Sequence, residues 1–526
     1  MMINQLKAGA ALNYVSIMLN MVVGLVYTPY MLRMLGQSEY GLYSLAASII
    51  AYLTVLDLGF GNAIVRYTAK FEAEGKKREQ QEMFGMFFLL YIGIGLIAIV
   101  VGTLLSLNVD RMFSVNMTAL EVNRTRIMLW LMTFNLAFTF PMSIWGSIMT
   151  AYERFVFQRL VSIVRSVLNP VVMILLLVVG YKAVAMVVVT TLFNIITLII
   201  NFYYCRYKLY VKIRFGHFNS AFLKEVSIYS FWIFLNAIID RIYWSTGQFV
   251  LGMYRGTVAV AVYSVAIQLT QMFMMFSTAI SGVFLPKVTA MVTYGGNEKE
   301  ISDLFIRTGR IQYIVMSFIL SAFVVFGRPF IRLWAGEGYE EAYYVSLLFF
   351  FSLLIPLIQN LGITILQARN QMRFRSVCYV IIAFCCLAFS IYGTRKWGMM
   401  GCAYATAGAL LLGQGLVMNI YYKGRQGIDI SRFWCEIGRM SIMPVIFVIL
   451  CLWTVNHWEI NLTIPVVFIY SVAVFVVLYA LLFWFMSMNA YERNLFISPL
   501  KKITIYRPEI MRLIDRAWCL NWYLGF

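Results

Sequence analysis

The sequence predicts an all-α polytopic membrane protein of about 14 transmembrane helices, built as two pseudo-symmetric six-helix bundles plus two C-terminal helices. Three observations carry this prediction. Of 526 residues, 62% are hydrophobic and only 12% charged, against about 25% charged in an ordinary soluble domain. Apolar runs repeatedly reach the ~20 residues that a helix needs to cross a bilayer. The features of the first runs also recur later in the chain.

In order, the runs occupy residues 11–35, 41–63, 84–106, 126–148, 158–179 and 183–204. The second series is 227–252, 258–285, 311–334, 343–366, 376–394 and 399–421, with 441–455 and 464–486 following. The run at 441–455 is short for a span. The first run is too long for a signal-peptide core and lacks a small-x-small cleavage site, so it is expected to remain as the first span. Connections are short throughout. We therefore divide the chain into bundles at 1–210 and 211–425, with 426–526 supplying two extra spans and a tail. In the tail, R-P-E-I-M-R-L-I-D-R-A-W from Arg507 is basic and aromatic, with Pro508 at a helix start. It is expected to lie on the membrane surface.

The formal charge of +19 follows this topology. With the N-terminus in the cytoplasm, about thirty of the 42 Lys and Arg residues fall on inside segments, loop after loop. Both termini are then cytoplasmic, and the excess charge faces anionic lipid headgroups rather than nucleic acid. The eight cysteines include no C-x-x-C pair, and His217 and His457 are the only histidines, so no metal site is expected. No P-loop is present, and the Glu337/Glu340/Glu341 group has no matching base, so neither direct ATP drive nor an enzyme site is expected.

The internal repeat sits at two places. L-G-Q-S-E-Y-G-L-Y-S-L-A from Leu35 and R-G-T-V-A-V-A-V-Y-S-V-A from Arg255 align Gly36, Tyr43, Ser44 and Ala46 with Gly256, Tyr263, Ser264 and Ala266, an offset of 220. A-Y-E-R-F-V-F-Q-R from Ala151 parallels A-R-N-Q-M-R-F-R-S from Ala368, an offset of 217. Six spans separate equivalents, so the halves share one topology and are related by an axis along the membrane normal.

Polar residues inside the spans mark the candidate site, because a charge at the bilayer centre costs about 2.5–3.5 kcal/mol on insertion scales. In the first span Asn13, Ser16, Asn20, Gly24 and Tyr27 share a helical face. The 220 offset carries Ser16 to Asn236 and Asn20 to Asp240. Cavity lining and hydrogen bonding between helices are the two readings of this stripe. Asp240 and Arg241 are neighbours that point about 100° apart, so they cannot pair well on one helix. Arg241 shares a face with Gln248 and suits an anionic ligand; Asp240 suits field tuning or a coupling cation. Arg165, part-way into the fifth span, is the second candidate cation for substrate. Asp57, in D-L-G-F-G-N, reads as a hydrogen-bonded carboxylate at a partly unwound helix end, with gating as its functional alternative. Pro29 after Gly24 predicts a bend in the outer half of the first span, a hinge for alternating access.

T-P-Y-M-L-R-M-L-G-Q-S-E-Y-G-L-Y-S-L from Thr28 and L-D-L-G-F-G-N-A-I-V-R-Y from Leu56 resemble the opening of bacterial polysaccharide transporters. These are the Wzx-type flippases of the multidrug/oligosaccharidyl-lipid/polysaccharide (MOP) exporter superfamily. The resemblance implies a V-shaped pair of bundles whose first, second, seventh and eighth helices line a central cavity. It also implies transfer of an undecaprenyl-pyrophosphate-linked oligosaccharide across the bacterial inner membrane, for surface polysaccharide such as O-antigen or capsule. The driving ion would be Na+ or H+, with no other cofactor, and a polysaccharide polymerase would be a further partner. On this reading Arg241, Asn236, Asn13, Asn20, Gln248 and Arg165 meet diphosphate or sugar, while Asp240, Asp57, Gly24 and Pro29 serve coupling or gating. A lipid II flippase and a multidrug cation antiporter of the same superfamily are the alternatives.

Overall fold

The computed structural model describes residues 2–216, 220–293, 297–369, 371–495 and 497, so the expected surface helix at Arg507 lies outside the described residues. In chain order the helices are α1 (Met2–Leu53), α2 (Phe60–Ala73), α3 (Lys77–Leu107), α4 (Val109–Phe113), α5 (Ala119–Ala151), α6 (Phe155–Val178) and α7 (Ala183–Tyr207). There follow α8 (Ser220–Arg255), α9 (Thr257–Thr293), α10 (Glu298–Trp334), α11 (Ala342–Ile358), α12 (Leu361–Ala368) and α13 (Met372–Leu410). A π-helical turn, Leu411–Val417, joins α13 to α14 (Met418–Arg425); α15 (Ile430–His457) and α16 (Pro465–Met486) complete the set. This is a multi-pass membrane protein. We call the face that holds the start of α1 the near face and its opposite the far face.

Ten stretches are long and apolar enough to cross a membrane, and two bent pairs raise the number to twelve. Two of the twelve, Ala11–Ala73 and Met372–Arg425, hold 63 and 54 residues. At 1.5 Å per residue each is roughly 80–95 Å long, against a hydrocarbon core of about 30 Å. Each folds back at a glycine that leaves helical geometry, Gly36 (φ 75°) and Gly398 (φ 60°). Gly393 and Gly401 touch backbone to backbone across the second fold. Tyr27 comes within electrostatic reach of Tyr40 and Tyr43 across the first, whereas a straight helix would hold Tyr27 and Tyr43 about 24 Å apart. Counting each folded stretch as two spans gives fourteen.

The first span turns at Gly36 rather than at Pro29, which stays inside the helix. A proline ring removes one hydrogen bond, but only glycine reaches positive φ without a Cβ clash. The repeat is visible in these turns. Gly36 and Gly256 have φ of 75° and 81°, and Gly180 and Gly398 have 96° and 60°. Each pair sits at the far face at matching steps of the two bundles.

The second span breaks where D-L-G-F-G-N predicts. Thr54–Asp57 is 3₁₀, and Leu58 and Gly59 are left-handed before α2 resumes. A second difference concerns the run at 441–455, which is the apolar part of a longer helix, α15. Its first turns carry charges that are paired at the near face, Arg432 with Asp303 (2.7 Å) and Glu436 with Arg310 (3.3 Å). Arg310, in α10, also holds Glu492 bidentately at 2.5 and 3.0 Å, which ties the segment after α16 to the second bundle.

The bundles meet at both faces. At the far face Gln268 of α9 donates to Thr28 (2.6 Å), Trp334 of α10 to the Leu25 carbonyl (2.8 Å), and Asn116 to the Met253 carbonyl (2.7 Å). At the near face Tyr67 of α2 donates to Glu225 of α8 (2.9 Å), and the Phe222 ring lies 4.9 Å from that of Tyr67. One continuous hydrophobic core includes Leu32 and Leu42 of the first bundle with Tyr263, Phe273 and Phe349 of the second. A separate core, with Phe84, Phe87 and Tyr91, lies mostly within the first bundle and takes in Val226 of α8.

Candidate functional site

The site is built on α5, α6 and α7, whose spans hold polar residues at helical spacing. On α6, Gln158, Ser162 and Arg165 recur at intervals of four and three, which sets them on one face. That face lines a chamber of about 310 Å3 shared with Arg159, Thr197 and Asn201. Arg165 donates from Nη1 to Asn194 Oδ1 on α7 at 3.1 Å. Asn194 then donates from Nδ2 to Asn135 Oδ1 and to Thr139 Oγ1 on α5, both at 2.8 Å. Asn135 and Thr139 line a second chamber of about 300 Å3, with Thr54, Thr190 and Thr191. Asn194 is thus the wall post between two chambers.

Arg241 completes the second chamber. It projects from α8 of the other bundle and lines this pocket of α1, α5 and α7 side chains. Among the described residues no carboxylate lies within the 4.0 Å ion-pair limit of Arg241, and no hydrogen bond occupies its guanidinium. The two chambers together are lined by three arginines and no Asp or Glu. Thr191 Oγ1 in one and Asn201 Oδ1 in the other are buried with no hydrogen-bond partner in the described structure. Buried polar atoms left unpaired cost about 1–3 kcal/mol each, so the chambers are suited to a hydrogen-bonding, anionic guest.

The remaining expected residues fall elsewhere. Asn236 donates to the Trp232 carbonyl (2.7 Å) and to Ser376 on α13 (3.2 Å), and Gln248 donates to Ser264 on α9 (2.9 Å). Both hold α8 to its own bundle. Asn20 is exposed and reaches Ser16 at 3.5 Å, and Asn13 is half-buried and lines neither chamber. Gly24 packs against the terminal methyl of the Met272 side chain of α9. Asp57 accepts a hydrogen bond from Tyr91 at 2.8 Å. Asp240 and Arg241 diverge, as their spacing requires. Asp240 is exposed between the electrostatic fields of Arg375 and Arg241, with neither close enough for an ion pair.

Sequence reasoning missed Asn135, Thr139, Asn194 and Arg159. Asn135 and Asn194 stand alone in apolar runs, and a lone amide inside a span is itself a signal of function. Arg375 was missed because it reads as a loop cation. In the structure it lies in the first turns of α13, 4.6 Å over the Tyr379 ring, with its Nε buried and unpartnered.

Comparison with known proteins agrees with this architecture. The family model described as "Polysaccharide biosynthesis protein" matches residues 6–292, more than half of the chain. The chain belongs to the polysaccharide biosynthesis protein family. This family member is similar to a Shigella flexneri protein described as "Putative O-antigen transporter", at 17% identity over 74% of this chain and 92% of that one. Its fold matches the lipid II flippase MurJ in an inward closed conformation, with a TM-score of 0.68 at 14% identity, covering 90% of this chain and 97% of the other. It also matches an inward-facing multidrug resistance MATE transporter of the MOP superfamily, with a TM-score of 0.62 at 13% identity, covering 80% and 99%. The family member thus has the fold of the MOP-superfamily transporters.

Proposed function

We propose that this transporter is a flippase for an undecaprenyl-pyrophosphate-linked oligosaccharide, moving it across the bacterial inner membrane by alternating access of the two bundles. The observation that carries this reading is the placement of Arg241. A cation from one bundle enters a carboxylate-free chamber of the other, where hydroxyls and an amide stand among aliphatic side chains, next to the chamber holding Arg159 and Arg165. A diphosphate is matched by guanidinium groups, which bind phosphate oxygens bidentately. A glycan is matched by the amides and hydroxyls, and the polyprenyl chain of such a substrate stays in lipid. Because Arg241 belongs to the opposite bundle, binding and bundle closure are coupled: the anion bridges the two halves.

The near face is the cytoplasmic one on this reading, which puts both termini in the cytoplasm. We assign ion coupling to Asp240, a carboxylate within the fields of Arg241 and Arg375; protonation or Na+ binding there would change the potential that Arg241 feels. A multidrug cation antiporter would want acidic chambers, and these are basic. A lipid II flippase shares the diphosphate chemistry and is the second reading, supported by the MurJ fold match.

The test is deletion in a host without a redundant transporter, followed by analysis of lipid-linked oligosaccharides. An intact repeat unit should accumulate facing the cytoplasm, and plasmid-borne protein should clear it. Unchanged surface glycans would overturn the proposal. Loss of drug efflux instead would favour the antiporter, and arrest of peptidoglycan synthesis the lipid II reading.

A further inference from the structure

Away from the transport chambers, the two arms of α13 enclose an apolar groove of about 480 Å3 that opens toward the membrane. The arms are in backbone contact at Gly393 and Gly401, just below the Gly398 turn, and neither position could carry a Cβ without collision. Farther from the turn they part. A Cβ on Gly408 would meet nothing within 4 Å, so among the described residues no side chain fills the space beside it. The π-helical turn at Leu411–Val417 follows directly, and Leu412 closes the groove's lower end. Phe389, Trp397 and Tyr404 form its walls, and no charged residue lines it.

The mouth is different. Arg255, Arg395 and Lys396 are all exposed there, around the Gly398 turn. Arg255 donates to the Thr394 and Arg395 carbonyls, Arg395 donates to the Tyr254 hydroxyl at 2.7 Å, and Lys396 Nζ lies 4.9 Å over the Tyr392 ring, itself a groove residue. Among the described residues none of the three has a carboxylate within 4.0 Å. Four other far-face arginines are neutralised locally, Arg124 by Glu39, Arg126 by Asp110, Arg328 by Glu340 and Arg332 by Glu337, while Arg33 donates to the Leu333 carbonyl. Three uncompensated cations at the rim of an apolar slot, ringed by Tyr and Trp at interfacial depth, complement an anionic headgroup with an aliphatic chain.

We propose that this groove holds one acyl chain of an anionic phospholipid, with the phosphate held by Lys396 and Arg395. Length selects this lipid. From the Gly398 turn to Leu412 the groove runs about 20 Å at 1.5 Å per residue, close to one leaflet of a ~30 Å hydrocarbon core. A polyprenyl chain, longer than the whole core, would overhang it. Apolar contact alone gives no preference over bulk lipid, so selectivity rests on the headgroup charge and on the fit of the chain beside Gly408. The occupied groove braces α13, the helix that carries Arg375 beside Asp240.

The test uses the purified full-length protein in detergent, with thermal unfolding and native mass spectrometry read in parallel. Phosphatidylglycerol should raise the unfolding midpoint by several degrees and remain bound, while phosphatidylcholine of the same chain length should do neither. Gly408→Trp should fill the groove and abolish the shift, and Lys396→Glu should reduce it at least threefold, with Lys396→Arg restoring it. Lys396 is exposed, so its variants fold whether or not Gly408→Trp does. Equal shifts by both lipids, an undiminished shift in Lys396→Glu, or a response to polyprenyl phosphate alone would overturn the proposal.

Discussion

Thr257 at the start of α9 donates its hydroxyl to Glu121 on α5 at 2.9 Å, and Ser38 of α1 donates to the same carboxylate oxygen at 2.5 Å. One acidic side chain therefore joins the two bundles at the far face. Thr118 caps α5 reciprocally with Glu121, which fixes the carboxylate in place. Hydrogen bonds to a charged group contribute about 1.5–3 kcal/mol each. Glu121→Ala should therefore shift the balance toward a far-face-open state by tenfold or more. Val260, buried on the next turn of α9, is the reporter. A cysteine placed there should react with a membrane-impermeant maleimide at least tenfold faster in Glu121→Ala than in the parent; equal rates would show that the contact is not a latch.

Arg241 should be indispensable for transport and dispensable for folding. No carboxylate or hydrogen bond depends on it among the described residues, so its removal leaves no buried partner stranded. Arg241→Ala should insert at parental levels and reduce flipping by tenfold to a hundredfold, the loss of one to two charge-assisted hydrogen bonds. Arg241→Lys should recover part of the rate, since the charge remains and the planar fork does not. Membrane abundance by immunoblot, set against clearance of lipid-linked oligosaccharide, separates the two effects.

How much of this was legible before the structure depends on the range of the interaction. The spans follow from apolar runs, and the turn glycines Gly36 and Gly256 emerge from the repeat, because both are properties of local sequence. Arg241 and Arg165, which the structure sets in chamber walls, stood out because a cation in a span is conspicuous. Asn236 and Gln248 were equally conspicuous, yet the structure spends them on Ser376 and Ser264. Whether an amide bonds to its neighbour helix or faces a cavity depends on rotation about the helix axis, which a single span does not encode. Arg375 illustrates the converse: a span boundary one turn off placed in a loop a cation that the structure sets on α13, within the field that Asp240 feels.

Asn194 should matter more to transport than to stability. It links Arg165 to Asn135 and Thr139 through three hydrogen bonds, all within the membrane. Side-chain hydrogen bonds between membrane helices average about 0.6 kcal/mol, so losing three costs about 2 kcal/mol. Asn194→Ala should lower the unfolding midpoint by only a few degrees. Flipping should fall further than protein abundance, because Arg165 loses the group that aims it and the wall between the chambers opens. A fall in flipping matched by an equal fall in abundance would make Asn194 a folding residue only.

The fold-back of α13 makes the sharpest structural prediction, since two glycines on one helix should respond in opposite ways. A Cβ on Gly401 would collide with the Gly393 backbone, which has nowhere to retreat, while a Cβ on Gly408 meets open space. Gly401→Val must therefore push the arms apart, breaking the close backbone approach that lets small residues join membrane helices. It should cut the yield of folded protein several-fold and lower the unfolding midpoint. Gly408→Ala should leave both unchanged or slightly improved, because alanine is favoured over glycine in a helix by about 1 kcal/mol. Size-exclusion profiles and thermal unfolding of the two variants side by side decide the matter. If Gly401→Val behaves like Gly408→Ala, the arms are not held by backbone contact, and the packing that closes the groove's upper end would need another source.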